Sequence, residues 1–187
     1  MIQLKRQTFV VAILLLLFPC SSWATEYLDS LKNIAKGKID VPDENKVQAI
    51  LELSKFSWAS DPDSSIALAS QALDIALKLN DPNLIGEASF DLGMIAYVNG
   101  SFASGLDYFI ESGDAFEQAD QLFKQANSYY QAGLCLKEQK KYDQAVIWFE
   151  TTKSTLPDNE FYQLTFAVAK NLGCLLYTSP SPRDRSL

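Results

Sequence analysis

Asp107, Glu111, Asp114 and Glu117 stand three and four residues apart, and of all the side chains in this sequence they come nearest to a catalytic or calcium-binding set. Acid–base catalysis or cation binding needs oxygen ligands that converge from several elements. On one helix, this spacing instead lays the carboxylates along a single solvated face. No histidine occurs among the 187 residues, which removes the commonest acid–base group near neutral pH and the commonest zinc ligand. The three cysteines form no CxxC pair, and no GxGxxG, Walker loop, HExxH or GxSxG motif occurs. These absences direct the search toward binding: no catalytic residue, metal site or cofactor is expected in the visible chain.

Charge narrows the partner. The chain carries a net −7, and setting aside Lys5, Arg6, Arg183, Asp184 and Arg185 at its two ends leaves the middle still more acidic. Such a surface repels phosphate backbones and anionic lipid headgroups, so nucleic acid is excluded as a partner. Hydrophobic residues make up 48% of the chain, enough for a packed core in one domain.

The two ends read differently from the middle. In residues 1–24, Lys5 and Arg6 precede an apolar run from Phe9 to Phe18, and Ser22-Trp23-Ala24 supplies small residues before a cut. That order is a secretory signal peptide, with the mature chain starting at Thr25 outside the cytoplasm. Cys20 follows Pro19 instead of a small residue, which disfavours a lipid-anchored alternative. Residues 25–42 are a lead-in. At the other end, Cys174 to Asp184 break the helical pattern with two prolines, and the string resembles the conceptual translation of a transposase-end adapter used in sequencing libraries. Residues 174–187 are therefore expected to be an adapter-derived tail, with the natural frame continuing past Gly173. Cys135 is then the one cysteine of the mature domain, a small core residue with no disulfide partner.

Between residues 43 and 173 the sequence repeats. Gly93, Gly133 and Gly173 are spaced 40 residues apart. Leu92-Gly93 is followed by Gly100, Phe102, Gly105-Leu106 and Phe109, and Gly133 by Lys140, Tyr142, Ala145-Val146 and Phe149 at the same offsets. A fixed period of this length marks a repeat array. Glycine in the first helix of each unit admits a close neighbour, and the phenylalanine of the second helix fills the space beside it. An earlier copy over 43–80 aligns Ser54 with the glycines and Ala67-Leu68 with Gly105-Leu106 after one inserted residue. Asp61-Pro62 and Asp81-Pro82 each place a capping carboxylate before a proline at the first helical position, and Asn99-Gly100 closes a helix. The punctuation predicts helices near 43–59, 62–80, 82–99, 102–119, 122–139, 142–155 and 159–173, with no sheet. The expected fold is all-α, an α-solenoid of antiparallel helical hairpins with about three and a half repeats.

The Leu-Gly, Tyr, Ala and Phe positions over 43–173 resemble the tetratricopeptide repeat in a 40-residue variety. The signature tryptophan position holds Ser89 and Tyr129, and no proline separates the repeats between residues 119 and 122. The resemblance implies that the first helix of each hairpin lines a partner-binding surface. Its groove-facing offsets fall on Gln48, Leu51, Lys55 and Trp58, then Glu87, Phe90, Met94 and Tyr97, then Asn127, Tyr130, Leu134 and Lys137. Lys55, Trp58, Phe90, Met94, Tyr97, Asn127, Tyr130 and Lys137 are the candidate groove residues. The aromatics are suited to grip an extended peptide or a helix, and the two lysines to hold a carboxylate. Packing between hairpins is the competing use of each aromatic.

The family has exported members that form the ectodomains of diguanylate cyclases and sensor histidine kinases. The implied function is thus a protein- or peptide-binding region of a signalling protein, touching a membrane only through a downstream span. A free periplasmic scaffold, or an enzyme whose catalytic domain follows the repeats, are the alternatives.

Overall fold

The computed structural model describes residues 25–58, 60–156 and 162–178. The signal segment and the tail beyond residue 178 lie outside the described residues, as do Pro157 and Asp158. Every regular element described is an α-helix. A first helix, α1, covers residues 25–35. It is followed by α2 (Asp43–Ser57), α3 (Pro62–Leu79), α4 (Pro82–Val98), α5 (Phe102–Gln118), α6 (Leu122–Glu138), α7 (Tyr142–Thr155) and α8 (Tyr162–Thr178). Each helix packs on the next, giving hairpins α2–α3, α4–α5 and α6–α7, with α8 packed on α7 as the last described helix. This is the all-α solenoid of antiparallel hairpins that the 40-residue repeat predicts.

Local chemistry starts and stops the helices. The Asp61 carboxylate accepts from the Ser64 backbone N–H at 3.1 Å, and that of Asp81 from Asn83 and Leu84 at 2.9 and 3.2 Å. Pro62 and Pro82 occupy the first turn, where the missing N–H has no intrahelical acceptor in any case. At the far ends, Asn80, Gly100, Asp120 and Lys140 all adopt positive φ, one at the close of each helix from α3 to α6. The next residue then bonds back across the last turn, as in Ser101 N–H to Ala96 O at 2.8 Å and Lys141 N–H to Leu136 O at 2.9 Å. Asp120 therefore ends α5 without the proline the repeat signature would place there.

The core is built by glycine facing aromatic. A Cβ at Gly93 would lie 2.8 Å from the Phe109 ring, and one at Gly133 would lie 2.7 Å from Phe149. Gly113 receives Tyr129 in the same way, so the interfaces α4/α5, α5/α6 and α6/α7 share one construction: an aromatic sixteen residues after a glycine. Phe109 and Phe149 are fully buried, and each such burial is worth roughly 1.5–3 kcal/mol. A Cβ on Gly105 would meet Cys135 Sγ at 3.2 Å and Gly93 O at 3.4 Å, so the missing side chain lets the α4 backbone come close.

Three sequence expectations shift. The first hairpin crosses at Ser54 and Ser65, whose hydroxyls lie 2.9 Å apart and within hydrogen-bond reach of each other's backbone carbonyls, at 3.0 and 2.9 Å. Ser65, not Ala67, is thus the counterpart of Gly105 and Ala145, and Ala69 stands where the later hairpins carry Phe109 and Phe149. Next, the lead-in is partly helical: Leu31 of α1 is buried with Ala49 and Leu53 of α2. Leu28, Leu31, Ile34 and Ala35 already show the three- and four-residue steps in the sequence. Finally, α8 ends at Thr178 instead of residue 173, and Leu175 is buried with Val168, Leu164 and Phe149.

Candidate functional site

Side chains of α2, α4 and α6 meet α5 at a groove of about 310 Å³ lined by Gln48, Lys55, Glu87, Phe90, Asp91, Phe116, Phe123, Lys124 and Asn127. The helical period explains the set. Gln48 and Lys55 are seven residues apart on α2, and Glu87 and Asp91 four apart on α4, so each pair shares a face.

Polar bonds stitch the three helices together. Gln48 donates to Glu87, while Lys124 reaches the other Glu87 oxygen at 2.6 Å and Asn83 Oδ1 at 2.9 Å. The Lys124 ammonium also lies 5.2 Å from the centre of the Phe116 ring. Phe90 meets Phe109 edge to face at 5.4 Å, which fixes its ring on the groove wall.

Asp91 is the unusual group. It is 3% exposed, and its Oδ2 lies 3.4 Å from Lys55 Nζ. That separation is an ion pair and not a directed hydrogen bond, and Oδ2 has no hydrogen-bond donor among the described residues. Burial pushes its carboxyl up to about 6; the Lys55 ammonium opposes this shift and the nearby Glu87 carboxylate adds to it. Half of the Lys55 side chain remains in solvent.

The candidate residues divide. Lys55, Phe90 and Asn127 line the groove together, as does Glu87. Leu51 is fully buried in the α2–α3–α4 core. Trp58 packs on Ala69, Leu92 and Ile95, occupying space that the small Ala69 leaves, and its indole N–H has no partner among the described residues. Met94 and Tyr97 pack around Phe109 and Cys135, with Tyr97 edge to face on Phe102 at 5.4 Å. Tyr130 and Lys137 are drawn to α8: Lys137 Nζ donates to Asn171 Oδ1 at 2.9 Å, and the Asn171 amide donates to the Tyr130 hydroxyl at 3.1 Å. Burial raises the Tyr130 phenol and, with Glu138, Cys135 and Tyr130 nearby, that of Tyr97.

Asp91, Lys124, Phe116 and Phe123 are groove residues that the repeat offsets miss. Asp91 is one position beyond Phe90, and its signal in the sequence is a charge one turn after Glu87 on an otherwise apolar helix. Phe116 enters from α5, an element the first-helix rule leaves out.

Elsewhere, Asp107, Glu111, Asp114 and Glu117 are exposed, as the spacing predicts. Three of them border a shallow cleft of about 460 Å³ between α4 and α5. No group of three metal-ligating side chains gathers among the described residues. Cys135 is fully buried, its thiol pushed up to about 12 by burial and by Glu138, and so inert near neutral pH. No described helix is long and apolar enough to cross a membrane.

No family model and no curated protein matches the sequence. Among solved structures, BtubC (BKLC) from P. vanneervenii superposes with a TM-score of 0.66 at 17% identity, over 81% of this chain and 63% of that one. A Rap protein complexed with Competence and Sporulation Factor superposes with a TM-score of 0.58 at 16% identity, over 81% of this chain and 43% of that one. The chain thus spans less than two thirds of the length of either. At such identities the likeness establishes architecture, and the architecture it establishes is a helical-repeat solenoid.

Proposed function

We propose that the array is a tetratricopeptide-type module that binds a protein or peptide partner in the groove between α2, α4 and α6. The observation that carries this reading is the groove itself. Three helices from successive hairpins converge there on three phenylalanines, two amides and four charged side chains, one of which has an unused acceptor. Apolar walls with a few fixed polar groups suit recognition of side chains. The chain's architecture is also that of a Rap protein whose structure holds Competence and Sporulation Factor.

With a signal-like residue order over 1–24, the module acts outside the cytoplasm as the partner-binding region of a signalling protein. Reading the frame onward from the source DNA tests that wider role. A downstream apolar span with a signalling domain supports it, and a stop codon directly after the repeats contradicts it.

Panning a random-peptide phage library against the full chain tests the binding role. Synthetic copies of the selected peptides should lose at least tenfold in affinity with Phe90→Ala and Asn127→Ala, while a change outside the groove, Glu111→Ala, leaves affinity unchanged. Selected peptides indifferent to both groove changes would contradict the assignment.

A further inference from the structure

The groove's inventory of hydrogen-bonding groups specifies what it lacks. Glu87 is already engaged by Gln48 and Lys124, and Lys124 is held between Glu87 and Asn83. Asp91 is different: its side chain is 4% exposed, it lines the groove, and its Oδ2 has only a 3.4 Å ion pair and no donor. A buried carboxylate in that state calls for an N–H donor, preferably a charged one. A carboxylate ligand has no such donor to offer.

The geometry points to a guanidinium, the side chain of an arginine in the partner, as the group that docks on Asp91 and displaces Lys55. This rests on the reading of the array as a peptide- or protein-binding module and names what that module recognises. Guanidinium suits the place for five reasons. Its planar fork of five donors can serve Asp91 Oδ2 together with further acceptors lining the groove, the side-chain oxygens of Gln48 and Asn127. Its weak hydration and flat face suit a cleft walled by Phe90, Phe116 and Phe123, where a cation already sits over the Phe116 ring. The cation now beside Asp91 is dispensable, since Lys55 is half in solvent and can swing out to water. The net charge of −7 draws cations toward the surface. A volume of about 310 Å³ lies at the small end of ligand sites, which fits one long side chain better than a cofactor.

The probe is N-acetyl-arginine amide, titrated at pH 8 into the full chain labelled with ¹⁵N, with N-acetyl-norleucine amide and N-acetyl-glutamate amide as controls. The arginine derivative alone should shift the amide signals of Lys55, Phe90 and Asp91 saturably. Asp91→Asn should weaken it at least tenfold, and Lys55→Met, which removes the competing internal cation, should tighten it several-fold. The opposite signs keep the test decisive even if one variant folds poorly. Tighter binding of the glutamate derivative, or loss of arginine binding in Lys55→Met, would overturn the inference and show a groove that recognises anions. Failure of the arginine probe alongside groove-dependent binding of panned peptides that carry no arginine would overturn the guanidinium assignment and leave the module's binding role standing. Failure of both the probe and the panned peptides at the groove would overturn the two together.

Discussion

At the scale of single residues, Asp91 carries a measurable cost. An unfolded chain's aspartate titrates near the ordinary value of 3.8, whereas burial holds Asp91 up to about 6, with Lys55 lowering it and Glu87 raising it. Between those values the folded protein keeps a proton that the unfolded chain has released. Stability from this group is therefore fully present below about pH 4 and is lost as pH rises through about 6. That difference corresponds to roughly 3 kcal/mol at most. Asp91→Asn should consequently be more stable than the wild type at pH 7, by about 1–3 kcal/mol in urea denaturation, with the difference vanishing near pH 4. An equal difference at both pH values would show that Asp91 is not desolvated as described. Lys140 gives a second case. It is exposed and sits at φ 60, a conformation that costs a side-chain-bearing residue roughly 1 kcal/mol. Lys140→Gly should raise the melting temperature by a few degrees, and a drop would mean that the turn is not left-handed.

At the scale of elements, most of the fold was legible because the helices are short, similar in length and punctuated by chemistry that acts locally. Aspartate before proline needs only the next turn to cap a helix, so Pro62 and Pro82 mark starts that the structure reproduces. What the sequence hid depends on neighbours. Asp120 and Lys140 close helices in a left-handed conformation that neither residue type advertises, and Ser54 and Ser65 reveal their pairing only when α2 and α3 cross. The position of Trp58 was likewise invisible, since it answers to the smallness of Ala69 eleven residues away. Gly93 and Gly133, by contrast, signalled truly while Gly173 meets no close neighbour, and these environments separate two predictions. Gly133→Leu should destabilise by about 1–3 kcal/mol, because Phe149 is fully buried against it and has nowhere to go. Gly173 has nothing within 4 Å of where a Cβ would stand, so Gly173→Ala should stabilise α8 by about 0.5–1 kcal/mol. Calorimetric melting of both variants checks the pair; shifts of the same sign would refute the account of glycine facing aromatic.

At the scale of the whole molecule, successive helices repeat one interface, and that regularity places equivalent faces of α2, α4 and α6 side by side. The groove exists because the repeats are alike in backbone, and its lining is varied because they differ in side chains. Lys55, Phe90 and Asn127 were found by repeat offsets, since those offsets follow the backbone. Asp91, Lys124 and Phe116 were not, since they depend on which side chains three different helices bring together. The central claim is that a partner binds along this α2–α4–α6 face. The most direct measurement is a ¹⁵N chemical-shift map of the full chain saturated with one panned peptide. Perturbations gathered on Gln48, Lys55, Glu87, Phe90, Asp91, Lys124 and Asn127 are the predicted result. Perturbations gathered instead on α3, α5 and α7, around Asp107, Glu111 and Ile147, would contradict it.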